Sequence, residues 1–142
     1  MAKAQESIEI KASPDACYKV ITDYEAYPEF LKETVAVSVD KKSGNNFEVT
    51  FTLQIVKKFS YTLKMVGKPG KEINWTFVKG EFMKDNKGGW ILEEVKKGVT
   101  KATYGVELHL GLLVPGAVAK MLVEKSLPTM LKAFKERIEN RK

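Results

Sequence analysis

The sequence predicts an α+β fold: a curved antiparallel sheet of about six to seven strands gripping a long C-terminal helix, with two short helices after the first strand. Three observations predict it. Apolar residues recur with a period of two through most of the chain from Thr34 to Leu110. The pattern switches to helical spacing from Gly116 to Arg141. Between the first alternating segment and Thr34, Pro14 and Pro28 punctuate two short helical stretches.

The elements follow in order. "ESIEIKA" places Ile8, Ile10 and Ala12 on one face and reads as a strand. "SPDACYKVITDY" reads as a helix, with Ser13 as N-cap, Pro14 at the first helical position and Asp15 matched to the helix dipole. Pro28 pushes Tyr27 away from helical angles, so Tyr24 to Leu31 is a helical turn or two with a bend. Val35, Val37 and Val39 then alternate, and "TVAVSVDKKSGNNFEVTFTLQI" forms two strands joined around Ser43-Gly44-Asn45-Asn46. Phe47, Val49, Phe51, Leu53 and Ile55 share one face; Thr50, Thr52 and Gln54 share the other. Phe59, Tyr61, Leu63 and Met65 are in phase, as are Ile73, Trp75 and Phe77 beyond the turn "GKPGK". A second Gly-rich turn, "NKGG", introduces Trp90 and Leu92, and Ala102, Tyr104, Val106, Leu108 and Leu110 complete the alternation. In the terminal helix Val118, Met121, Leu122, Leu127, Leu131, Phe134 and Ile138 form the apolar face, and Pro128 predicts a kink between Glu124 and Pro128. That helix is the one element long enough to cover the sheet.

The chain has 142 residues, which suggests one domain over 1–142, large enough to fold without a disulfide or metal. Cys17 is its only cysteine, so no intramolecular disulfide forms and a reducing, cytoplasmic setting is expected. The first residues carry no apolar run of signal-peptide length, and no stretch of 18 apolar residues occurs. The formal charge of +6 permits contact with anionic lipid or RNA, but the lysines are scattered and DNA binding is not expected.

The inward face is rich in large rings: Phe47, Phe51, Phe59, Tyr61, Trp75, Phe77, Trp90 and Tyr104. Either these side chains fill the space between sheet and helix at ordinary packing density, or the bent sheet leaves a cavity that they line. Buried Tyr and Trp need partners for their polar tips, and a ligand or water in a cavity would supply them.

The order of elements and several strings resemble the START-like, helix-grip (SRPBCC) superfamily of polyketide cyclases and lipid-transfer domains. "IEIKASPDACYKVITDYEAYPEFL" is similar to its opening strand and paired helices, "KKFSYTLKM" to its central hairpin, and "GGWILEEVKKGVTKATYGVELHL" to its last two strands. "VPGAVAKMLVEKSLPTMLKAFKERIE" resembles its closing helix, internal proline included, and "DYEAYPEF" resembles the bacterial polyketide cyclase and coenzyme Q-binding subfamily. Where quinone-binding relatives continue after the Phe30 position with a proline and then an aromatic or cysteine, this chain has Leu31-Lys32-Glu33-Thr34, which counts against quinone as the ligand. The resemblance implies that Tyr24, Tyr27 and Phe30 form the inner surface of a lid, with Pro28 fixing its bend. The ligand-binding set expected is therefore these three with Phe51, Leu53, Tyr61, Leu63, Trp75, Phe77, Trp90, Tyr104 and Val106 from the sheet, and Leu122, Leu131 and Phe134 from the helix.

No catalytic set is assigned. His109 is the only histidine, and its parity opposite Leu108 and Leu110 turns it away from the inner face, so no nucleophile–His pair forms. One His and one Cys do not make a zinc site, no phosphate loop or dinucleotide fingerprint occurs, and neither metal nor cofactor is expected. Cys17 reads as a small buried apolar residue. The leading expectation is binding, carriage or sensing of a hydrophobic small molecule such as a lipid, quinone or polyketide-like compound. The alternatives are a cyclase or dehydratase with Tyr61 or Tyr104 as acid, and a ribosome- or protein-interaction module using the basic surface. Lys57 and Lys58, beside Ile55 and Val56 at a hairpin tip, suit transient contact with an anionic membrane.

Overall fold

A computed structural model describes residues 2–54, 57–111 and 120–141. In chain order it contains β1 (Ala2–Ile10), α1 (Pro14–Ile21), a 3₁₀ turn (Tyr24–Glu29), β2 (Thr34–Ser43), β3 (Asn46–Gln54), β4 (Lys58–Lys68), β5 (Glu72–Gly80), β6 (Met83–Lys96), β7 (Val99–Leu110), a π turn (Leu122–Ser126) and α2 (Leu127–Arg141). The strands form one seven-stranded sheet in the order β1-β7-β6-β5-β4-β3-β2, antiparallel throughout. Sheet, terminal helix and the short helical elements after β1 make the helix-grip α+β fold.

The local signals act as expected at α1: the Ser13 hydroxyl accepts from the Ala16 amide at 3.2 Å, and Pro14 opens the helix. The second short element is 3₁₀ rather than α. It contains Pro28, which has no amide hydrogen to continue an α ladder, and it closes with the Phe30 amide donating to the Tyr27 carbonyl at 3.2 Å. Gly44, Gly70 and Gly98 sit at positive φ in the hairpin turns of β2–β3, β4–β5 and β6–β7.

Three strand expectations need correction. Val35 does not share the inward phase of Val37 and Val39; a bulge between Thr34 and Ala36 leaves it unpaired and 45% exposed. β1 begins at Ala2, four residues before the alternating string, because its backbone pairs along the edge of β7 from Ala2↔Leu108 onward. The largest correction concerns "NKGG": Asn86, Lys87, Gly88 and Gly89 are not a turn but lie inside β6, paired with β7. The chain reverses earlier, at Glu81 and Phe82, with Phe82 at φ 58 and its carbonyl accepting from the Gly111 amide at 2.9 Å. Gly88 is needed where it stands: a Cβ there would lie 2.1 Å from the Gly105 carbonyl oxygen and 2.9 Å from the Trp75 ring.

The terminal helix accommodates Pro128 with a π turn immediately before Leu127. The proline ring collides with the carbonyl four residues back, and a widened turn relieves that contact. Leu127, Leu131, Phe134 and Ile138 are buried, as the helical spacing predicts. Val118 lies outside the described residues, and the Leu122 side chain outside the described side chains. The helix end is tied to β1 and its following residue: the Lys135 ammonium donates to the Glu9 carbonyl at 2.6 Å, and the Lys11 amide donates to the Glu139 carboxylate at 2.9 Å. Cys17 is fully buried, and burial raises its thiol pKa. His109 is exposed. Among the described residues no helix is long and apolar enough to cross a membrane.

Candidate functional site

Between the inner face of the sheet and the helical elements lies a cavity of about 720 Å³. Strand alternation aims one side chain in two at it. β3 supplies Phe51 and Leu53, β4 supplies Phe59, Tyr61, Leu63 and Met65, β5 supplies Trp75, β6 supplies Met83, Asn86 and Trp90, and β7 supplies Tyr104, Val106 and Leu108. The opposite wall comes from Tyr27 and Phe30, the segment Leu31 to Thr34, and the π turn and α2, with Ser126, Met130, Ala133 and Phe134.

The rings form a connected set. Phe134 meets Phe30 at 5.1 Å, Tyr27 at 5.2 Å and Trp90 at 5.2 Å between centroids, all edge-on. Phe51 stacks on Tyr61 at 5.5 Å, and Tyr104 packs against Trp90 at 5.1 Å and Trp75 at 5.3 Å. Such pairs add about 0.5–1.5 kcal/mol each beyond their buried area.

The polar groups divide by wall. Among the described residues no charged side chain from the sheet lines the cavity; the charged lining residues are Lys32, Glu33, Lys125, Lys132 and Glu136, all from the opposite wall. Glu33 accepts from the Ser126 hydroxyl at 3.1 Å and bridges the loop after the 3₁₀ turn to the π turn. Arg137 pairs with Glu29 and lies 5.1 Å over the Phe30 ring, tying the 3₁₀ turn to α2. On the sheet side, the Trp75 indole donates to Asn86 Oδ1 at 2.9 Å. The Tyr27 hydroxyl donates to the Ile21 carbonyl, whereas the hydroxyls of Tyr61 and Tyr104 make no hydrogen bond among the described residues. Burial raises the pKa values of both phenols, and at Tyr104 the neighbouring Tyr61 adds to the effect. Both stay protonated at neutral pH and present O–H groups to the cavity.

Of the residues expected from the sequence, Tyr27, Phe30, Phe51, Leu53, Tyr61, Leu63, Trp75, Trp90, Tyr104, Val106 and Phe134 line this space. Tyr24 does not. It is buried behind the turn, edge-on to Phe47 at 5.4 Å and Phe51 at 6.4 Å. Phe77 is half-buried away from the cavity, because β5 pairs with β6 only from Glu72 to Trp75. Leu131 is buried but packs outside the lining, and the Leu122 side chain is not among those described. The hairpin tip containing Ile55 and Val56 lies outside the described residues, while the Lys57 ammonium sits 4.0 Å from the centre of the Phe82 ring. Sequence reasoning missed Asn86. Its parity with Trp90 and Leu92 was the available signal, and the assignment of its segment to a turn concealed it.

Comparison with solved structures shows the fold across the whole chain. An aromatase/cyclase (Zhui) from a Streptomyces species superposes with a TM-score of 0.88 at 15% identity, covering 99% of this chain and 94% of that one. A START superfamily protein from Mycobacterium smegmatis gives 0.86 at 16% identity, covering 99% of both chains. A STAR-related lipid transfer protein fragment from Xanthomonas axonopodis gives 0.80 at 17% identity, covering 94% of this chain and 84% of that one. No curated protein sequence matches the chain significantly. Residues 10–135 match the model of the polyketide cyclase / dehydrase and lipid transport family, whose members bind hydrophobic ligands or act as polyketide cyclases, and the chain belongs to that family.

Proposed function

We propose that this chain binds and carries a hydrophobic small molecule in the cavity between sheet and terminal helix. The observation that carries the reading is a space of about 720 Å³ walled largely by aromatic and aliphatic side chains, in which the hydroxyls of Tyr61 and Tyr104 make no hydrogen bond among the described residues. That volume falls in the ordinary range of about 300–1,000 Å³ for small-molecule pockets. Binding gains free energy by removing apolar ligand surface from water, and the two phenols orient the ligand's polar groups. An open interior supports carriage over a ribosome- or protein-binding module, for which a filled core is the expectation. Carriage is favoured over catalysis because no imidazole lines the cavity among the described residues, its carboxylates, Glu33 and Glu136, stand on the wall opposite the phenols with Glu33 engaged by Ser126, and the raised phenols donate hydrogen bonds rather than remove protons. In this reading Lys57 and Lys58 give the protein a cationic contact with an anionic membrane, where a hydrophobic cargo is exchanged.

Native mass spectrometry of protein purified from its own host tests the proposal. The expected result is a retained small molecule, lost on denaturation and held less well by a Tyr61→Phe/Tyr104→Phe variant of unchanged melting temperature. A wild-type protein that carries nothing and takes up no lipid, ketone or polycyclic probe would overturn it. Conversion of a loaded polyketide-like probe to a cyclised product would move the assignment to the cyclase side of the family.

A further inference from the structure

The proposal of a carried hydrophobic ligand leaves its chemical class open, and one buried side chain bears on it. Asn86 is 5% exposed and lines the cavity. Its orientation is not arbitrary. Trp75 Nε1 can only donate, so the amide atom 2.9 Å from it is the oxygen, and the NH₂ group is turned the other way. That NH₂ has no partner among the described residues. It is also not among the fully sealed unsatisfied atoms, so the accessibility it keeps opens on the cavity Asn86 lines. The arrangement is built into the sheet. Trp75 is the last residue of β5 paired with β6, opposite Gly88, and the missing side chain at Gly88 gives the indole the room to reach Asn86.

Trp90, 3% exposed and also lining the cavity, has no partner for its own indole N–H among the described residues. The sheet wall therefore presents two groups that only donate, the Asn86 amide N–H and the Trp90 indole N–H, besides the Tyr61 and Tyr104 hydroxyls. It presents no cation. A pure hydrocarbon would bury all four unsatisfied, and a carboxylate held by them would stand across the cavity from Lys32, Lys125 and Lys132, the cations of the opposite wall.

We infer that Asn86, oriented by Trp75, is a specificity-determining residue that donates to an uncharged acceptor oxygen, such as the carbonyl of a ketone or ester with an apolar body. This rests on the binding reading above and adds the ligand class.

The test is equilibrium dialysis with three probes of one skeleton: fluorene, 9-fluorenone and fluorene-9-carboxylate at neutral pH. Wild type is expected to bind 9-fluorenone about tenfold more tightly than fluorene, the effect of one buried hydrogen bond and its otherwise unpaired donor. It is expected to bind the carboxylate most weakly. Asn86→Leu should lose the preference for the ketone and keep fluorene. Should that variant fold poorly, the side-chain amide resonances of Asn86 in wild type provide the same reading. They should shift with 9-fluorenone and not with fluorene. Equal wild-type affinity for fluorene and 9-fluorenone, a ketone preference that survives in Asn86→Leu, or unmoved Asn86 resonances would overturn the assignment and leave the cavity reading standing. Failure of wild type to bind any of the three would overturn the cavity reading and this inference with it.

Discussion

The two walls of the cavity are built differently. Every recognition group on the sheet side, from Phe51 to Tyr104, stands on a strand paired on both flanks for at least part of its length, and none is charged. The facing wall is tied together by side-chain links, Glu33 to Ser126 and Arg137 to Glu29 and Phe30, and meets the sheet through the Phe134–Trp90 rings and, at the end of α2, through hydrogen bonds to Glu9 and Lys11. Hydrogen bonds and exposed ion pairs of this kind are worth about 1 kcal/mol or less each, whereas shifting a paired strand breaks many bonds at once. The contrast separates two tasks. On the binding function proposed above, ligand selection would fall to the wall that cannot adjust, and entry and exit to the wall that can open at small cost.

That contrast is open to direct attack, first where the walls meet. Phe134, 2% exposed, touches Trp90 on one side and Tyr27 and Phe30 on the other. Phe134→Ala should cost about 3–5 kcal/mol in urea titration. A loss below about 1 kcal/mol would show that the walls are not joined through this ring. Gly88→Ala probes the rigidity of the sheet wall. Its new methyl group would press on the Gly105 carbonyl and Trp75, costing about 1–3 kcal/mol and changing tryptophan emission. Unchanged melting and emission would mean that the sheet yields where it is held here to be stiff. The smallest effect is expected at the latch. Glu33→Ala should lower stability by under about 1 kcal/mol yet speed ligand release in stopped-flow displacement. An unchanged release rate would place the exit elsewhere.

The succession of strands and helices along the chain, the long terminal helix and most lining rings were legible in the sequence, because alternation and helical spacing are local; the order of strands in the sheet, with β1 beside β7, was not. Phe51, Tyr61, Trp75 and Tyr104 could be read from parity alone. Three particulars were hidden for non-local reasons. Whether the rings fill the core or surround a space depends on how the sheet bends and where α2 sits against it, which no window of the sequence reports. Phe77 has the same parity as Trp75, but β5 leaves β6 between them. Gly88 and Gly89 carried the signal of a turn, and their actual cause, the approach of Trp75, the Ile73 carbonyl and the Gly105 carbonyl, comes from strands distant in sequence.

The π turn before Leu127 has a consequence for how such a cavity changes through insertion and deletion. A π turn holds one residue more than the α-helical turn it replaces, and each residue of an α-helix advances by about 100°. Removing one residue between Leu122 and Ser126 would rotate everything upstream by that amount, taking Met121 off the cavity, while the buried series Leu127, Leu131, Phe134 and Ile138 stayed in place. The outline of the space can thus be redrawn by a change of length at a single locus in the helix, with every strand residue that lines it left as it was.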